Sequence, residues 1–204
     1  MLKRRADSAN TNAGSQKRIG RAEFFISPPP ALGHAVPAMG KRREARERAV
    51  QFLFQQEVNP SDNLDEALAQ FWNAQRSAAI ADEKAPSTWG EPVSLPPPTA
   101  EEADVRSFAE PLIRGALEHR AAIDELIQKY VKNWGLHRIA AVDRNILRLA
   151  LYEMLHRPDI PPVVSINEAV DIAKRFSTED SGKFVNGVLD KVKGDLLRPA
   201  RNVT

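Results

Sequence analysis

"LHRIAAVDRNILRLALYEMLHR", residues 136–157, is the most apolar stretch of the chain, and it contains neither glycine nor proline. Ile139, Val142, Ile146, Leu149 and Leu155 keep helical phase along it, the period of about 3.6 residues that brings side chains onto one face of a helix. The run is too long for a buried strand, and "PDIPP" ends it. So apolar a helix has to be covered by neighbours, and the flanking segments read as helices too. On its C-terminal side, "SINEAVDIAKRF" (165–176) opens on Ser165-x-x-Glu168, the pattern of a capping box. A last helix is expected from about residue 179 to about 195, with Val185, Val188, Leu189 and Val192 on one face.

The N-terminal side continues the pattern. "AAIDELIQKYVKNWG" (121–135) carries Ile123, Leu126, Ile127 and Tyr130 in phase, and Gly135 is a natural stop. "EEADVRSFAEPLIRGALEHR" (101–120) buries Val105, Phe108, Leu112, Ile113, Ala116 and Leu117, with Pro111 expected to kink or restart it. Residues 81–100 contain five prolines and read as a surface loop or insertion, with Trp89 a local anchor. "DNLDEALAQFWNAQRSAAI" (62–80) is a helix with Asp62 as N-cap and Leu64, Ala67, Leu68, Phe71 and Trp72 facing inward. "KRREARERAVQFLFQQE" (41–57) is the first helix. Residues 1–40, polar and then broken by proline and glycine, read as a disordered basic and proline-rich extension, and 196–204 as a tail. The fold class is all-α, with about seven helices in one continuous domain after residue 40.

Composition narrows the function. There is no cysteine, which removes disulfides, thiolate catalysis and thiolate metal sites and suits a reducing cytoplasm. His34, His119, His137 and His156 show no metal-ligand spacing. No phosphate-binding glycine loop, HExxH or nucleophile elbow is present, so catalysis has no foothold and no cofactor is expected. Residues 1–48 hold 11 Lys/Arg and 4 Asp/Glu, whereas 49–204 hold 18 and 23. A basic head on an acidic body fits a polyanion.

Two surfaces stand out. In "KRREARER" (41–48), Arg42 and Arg46 lie one helical turn apart, a fork of guanidinium groups suited to phosphate oxygens at an exposed helix end. In "EDSGKFVNGVLDKV" (179–192), Phe184 lies about 90° from the centre of the apolar arc, on the shoulder of the buried face. Asp180 can cap that helix, Lys183 adds a positive charge, and Gly182 and Gly187 permit close backbone approach. Phe52 and Phe54 are about 200° apart on the first helix, so Phe54 is the more exposed ring.

"RREARERAVQFLFQQE", "VDRNILRLALYEML", "SINEAVDIAKRF" and "EDSGKFVNGVLDKV" together resemble the NusB family of bacterial transcription antitermination factors, in order and over roughly residues 41–195. The resemblance implies an all-helical fold of two small helical subdomains. It implies binding to the boxA element of ribosomal RNA leader transcripts, together with the small-subunit ribosomal protein NusE. The larger complex would join NusA and NusG on RNA polymerase. By position, it assigns the arginine-rich start (Lys41, Arg42, Arg43 and Arg46) and the turn at Asp180, Lys183 and Phe184 to RNA. It assigns Phe54 and Asp143 to NusE. Glu44 interrupts the basic run, and the extension and insertion have no counterpart. Two other readings remain: the NusB-like module of an RNA cytosine methyltransferase, which needs a cysteine and a cofactor loop this chain lacks, and a homodimeric helical scaffold without RNA.

Overall fold

The computed structural model describes residues 39–83, 95–131 and 135–196. The expectations for residues 1–38, for the proline-rich stretch at 84–94 with Trp89 and for residues 197–204 lie outside them, whereas 39–40, expected in the extension, 81–83, expected in the insertion, and Leu196, expected in the tail, are helical. Among the described residues there are seven α-helices and no strand: α1 (Met39–Val58), α2 (Leu64–Glu83), α3 (Ala100–Glu118), α4 (Arg120–Tyr130), α5 (Ala141–His156), α6 (Pro162–Phe176) and α7 (Glu179–Leu196). Every helix contributes to one apolar cluster, among them Phe52, Leu68, Leu112, Ile127, Leu147, Ile172 and Leu189. The apolar helix of the opening stretch is its centre: α5 packs against α1, α3, α4, α6 and α7. Phe52, Phe71 and Trp72 meet edge to face at 5.2–5.3 Å between centroids, the arrangement aromatic quadrupoles favour. None of these helices is long and apolar enough to cross a membrane.

Several boundaries differ from the expectation, each for a local chemical reason. The stretch from 136 is not one helix: a 3-10 turn at Leu136–Arg138 precedes α5. Arg144 Nη1 donates to the Leu136 and Ile139 carbonyls at 2.8 and 2.9 Å, so those acceptors are satisfied without another helical turn. Gly135 opens that 3-10 turn, and α4 ends earlier, at Tyr130. Pro111 neither ends nor restarts α3; its ring is exposed within a continuous helix. The capping box belongs to Thr99 and Glu102, which exchange side-chain to backbone bonds of 2.7 and 3.2 Å. Ser165 instead lies buried inside α6, which starts at Pro162, where the fixed proline φ suits a first helical turn. At α2 the capping acceptor is Asn63, whose Oδ1 takes the Glu66 N–H at 3.2 Å, in place of Asp62.

The junction of α1, α4 and α5 is held by charge. The Glu57 carboxylate accepts from Arg144 (2.7 and 3.0 Å), Asn145 (2.7 Å) and Arg148 (2.9 Å). Burial pushes its carboxyl up, but these bonds pull it down further, so it lies below its usual 4.5. A depressed folded-state value means stabilisation that is complete above the unfolded value and lost as pH falls through the folded one. Glu57→Gln should therefore lower stability at pH 7 and flatten the loss of stability between pH 5 and 2. Urea midpoints across that range check this; parallel wild-type and variant curves would exclude the linkage.

Candidate nucleic-acid interface

The basic stretch occupies the first turns of α1, and the fold surrounds it with acids. Lys41 Nζ lies 3.2 Å from Glu101 and 3.7 Å from Asp104 of α3. Arg43 bridges Glu168 (2.9 Å) and Asp171 (2.8 Å) of α6. Glu44, which dilutes the basic run, lies 3.5 Å from Arg48. Glu47 accepts both bonds from Arg175 of α6 at 2.6 and 2.7 Å.

Arg46 departs from the expectation. It is 4% exposed and donates through Nε to Glu153, itself 1% exposed, at 2.8 Å. Ser165 lines the same pocket as this pair, and its buried Oγ has no hydrogen-bond partner among the described residues. The two residues expected to form an exposed fork share the Phe108 ring but not their exposure: Arg46 is buried between α1 and α5. Arg42 stays half-buried at the surface. Among the described residues, Arg42 is the cation of the stretch with no carboxylate within ion-pair distance, and its Nε is buried without a hydrogen-bond partner.

The second candidate surface opens α7. Thr178 caps it: its Oγ1 accepts the Ser181 N–H at 3.1 Å and its carbonyl accepts the Gly182 N–H at 3.2 Å. Asp180 is not the cap. It lies already inside the helix, fully in solvent, and pairs with Lys183 at 3.0 Å. Phe184 is half-buried and packs on the core edge, leaving part of its ring accessible. Gly182 makes a close approach within the protein, since a Cβ there would meet Lys174 Cγ at 2.8 Å; Gly187 faces open space. α6 connects the two surfaces, reaching α1 through Arg43 and Glu47 and α7 through the 3.1 Å Lys174–Glu179 pair.

The partner candidates also diverge. Phe54 is the exposed ring, at 37%, against 1% for Phe52, and Val58 one turn on is exposed as well. Asp143 is not a rim acid: it is 6% exposed in the first turn of α5, and its Oδ1 has no hydrogen-bond partner among the described residues.

The sequence matches the NusB family over residues 43–193, which include both surfaces except Lys41 and Arg42. The chain belongs to the NusB family. It is 44% identical over 162 residues to the transcription antitermination protein NusB of Methylacidiphilum infernorum, covering 79% of this chain and 96% of that protein. The NusB of Myxococcus xanthus is 41% identical over 161 residues, covering 79% and 100%. Among solved structures, T. maritima NusB matches with a TM-score of 0.55 and 35% identity, over 79% of this chain and 94% of its own. A structure of the factors NusB and NusE in complex with dsRNA shares the fold, with a TM-score of 0.58 at 24% identity, covering 78% and 99%. The two NusB relatives are matched almost end to end, so the family part of this chain is a whole NusB-like unit.

Sequence reasoning missed Phe108 and Arg157 as parts of this surface. Phe108 of α3 lies beneath three guanidinium groups, those of Arg42, Arg46 and Arg157, at 5.5, 5.2 and 5.6 Å from its centroid. No local pattern signals this, because the ring and the cations come from α1, α3 and the residue that caps α5.

Proposed function

We propose that the chain is a non-catalytic, cytoplasmic transcription antitermination factor. It takes boxA-type single-stranded RNA from ribosomal RNA leader transcripts together with NusE, and joins NusA, NusG and RNA polymerase in a larger complex. Membership of a family whose curated relatives are named transcription antitermination proteins carries this reading. The part-exposed Phe184 beside the exposed Lys183 supports it, since a single-stranded base can stack on such a ring while a phosphate meets the ammonium. Arg42, Lys41 and Arg43 serve phosphates at the start of α1, the latter two by exchanging a carboxylate for RNA. Phe54, with Val58 beside it, is the apolar contact for NusE, and Asp143, shielded in the free chain, accepts a donor from that protein only where binding uncovers it.

The deciding experiment is binding of a boxA-type RNA and of a scrambled control, each with and without NusE. Preference for boxA that strengthens with NusE supports the reading; equal binding of both RNAs overturns it. Phe184→Ala should cost about 1–3 kcal/mol of RNA affinity with an unchanged salt slope, because stacking releases no counterion. Its stability loss should stay below the ~3–5 kcal/mol of a fully buried phenylalanine. A large stability loss with RNA affinity intact would make Phe184 a core residue only.

Phe54→Asp should weaken NusE binding while helicity and RNA binding without NusE stay near wild type. Unfolding of this variant would return the ring to the core. For Asp143, Asn is the informative change, since burial makes a lysine there disruptive whatever its role.

A further inference from the structure

We propose that Arg42 and Arg157, held on the Phe108 ring, form a binding site for one phosphodiester, a contact for which neither Arg157 nor Phe108 has been singled out. The proposal rests on the RNA-binding reading above and extends it to the turn after α5.

Three elements converge here. Arg42 and Arg46 come from α1, Phe108 from α3, and Arg157 caps the end of α5. All three guanidinium carbons lie within 5.6 Å of the ring centroid, inside the range of a cation–π contact. Like charges this close need counter-charges, and the protein supplies two. Glu153 takes Arg46 at 2.8 Å, and Asp159 takes Arg157 at 2.8 and 2.9 Å. Glu168 also lies 4.0 Å from Arg46, but it is engaged by Arg43 at 2.9 Å. Among the described residues Arg42 is left with no carboxylate within ion-pair distance, so it is the guanidinium of this corner without a direct counter-charge.

The hydrogen-bond inventory points the same way. The Arg42 side chain donates no hydrogen bond among the described residues; its Nε is shielded from solvent, so a ligand meets it through the Nη groups. Arg157 spends Nε and Nη2 on Asp159, and its Nη1 has no acceptor among the described residues. The unmet need is thus for a small group with one negative charge and at least two acceptor oxygens. A phosphodiester has one negative charge and two non-bridging oxygens, and planar guanidinium donors match it. Asp159, with its side chain more than half exposed, can swing aside or remain on the far edge of Arg157. Its carboxyl is held below its ordinary range by Arg157, with a smaller pull from Arg42.

The test uses the full chain and a boxA-type single-stranded RNA, with the salt dependence of binding measured for wild type, Arg42→Gln, Arg157→Gln and the double variant. Each lost phosphate contact on a single strand lowers the slope by about 0.7. Each single variant should lose about that amount, and the double variant no more, because both arginines serve one phosphate. Arg114→Gln, on the outer face of α3, should leave the slope unchanged. Wild-type slopes in both single variants would overturn the site and leave the RNA-binding reading standing. A double variant losing twice as much would overturn the shared phosphate.

A second arm needs no substitution. Dimethyl phosphate, a monoanionic diester, should shift the Arg42 Nε–H resonance of the wild-type chain saturably, and Arg157→Gln should abolish the shift. No shift at Arg42 overturns the site. A shift in a chain that binds no RNA would sustain the anion site while overturning the RNA reading.

Discussion

Arg46→Ala should lower the unfolding free energy by about 3–5 kcal/mol, the cost of removing one partner of a buried ion pair. The physical cause is Glu153. It would keep a carboxylate at 1% exposure with the Arg46 guanidinium, its 2.8 Å partner, removed. Even with Arg46 present, burial holds the Glu153 carboxyl above its ordinary range, against the pull of Arg46. Without Arg46 it must rise further. A raised folded-state value gives stability that is present below the unfolded value and lost as pH rises through the folded one. The deficit of the variant should therefore be largest at neutral pH and shrink toward pH 4. Chemical denaturation at both pH values reads it directly. Replacing the pair together, as Arg46→Met with Glu153→Met, should recover most of the loss, since two apolar side chains leave no unpaired charge. A loss below about 0.5 kcal/mol in the single variant is what an exposed arginine would give, and it would return Arg46 to the surface. RNA affinity measured on Arg46→Ala has to be read beside this melt, because a weakened α1 would lose RNA without any lost phosphate contact.

Arg148→Ala should be of similar size, about 3–5 kcal/mol. Arg148 is 3% exposed and joins three helices: it donates to Asp124 of α4 at 2.7 and 2.8 Å, to Glu57 of α1 at 2.9 Å and to Asn145 at 3.1 Å. Truncation leaves Asp124 with no partner closer than Arg120, whose Nε is 3.8 Å away. Arg148→Lys should recover little, because an ammonium cannot reach two carboxylates with a planar fork. A double-mutant cycle with Glu57→Gln should show coupling of at least about 0.5 kcal/mol, as expected within one hydrogen-bonded network. Additive losses would mean that the two residues act separately, and an Arg148→Ala loss under about 1 kcal/mol would mean that solvent replaces the network.

Helix existence and facing were legible from the chain because both depend on neighbours a turn apart. The faces expected of α2, α3, α4 and α7 are those that enter the core: Phe71, Leu112, Ile127 and Leu189 are all buried. The relative exposure of Phe52 and Phe54 followed from their angular separation alone. Helix ends were less legible, because a serine three residues before a glutamate caps only if the backbone turns there. At Thr99 it does and at Ser165 it does not. Membership of the family was legible too, since it rests on ordered motifs within α1, α5, α6 and α7.

The charged residues divide what the sequence by itself determined from what only the tertiary structure decided. The sequence determined that α1 begins with a run of cations, because composition and spacing are local. It could not say which of those cations remain available to a ligand. Arg46 is taken by Glu153, 107 residues away, and Arg43 by Glu168, 125 residues away. Arg42 is left over on a ring contributed by α3. The reason lies in the range of the forces. A helical period is imposed by backbone bonds four residues long, whereas a long charged side chain takes its partner from whichever helix the apolar core has packed beside it.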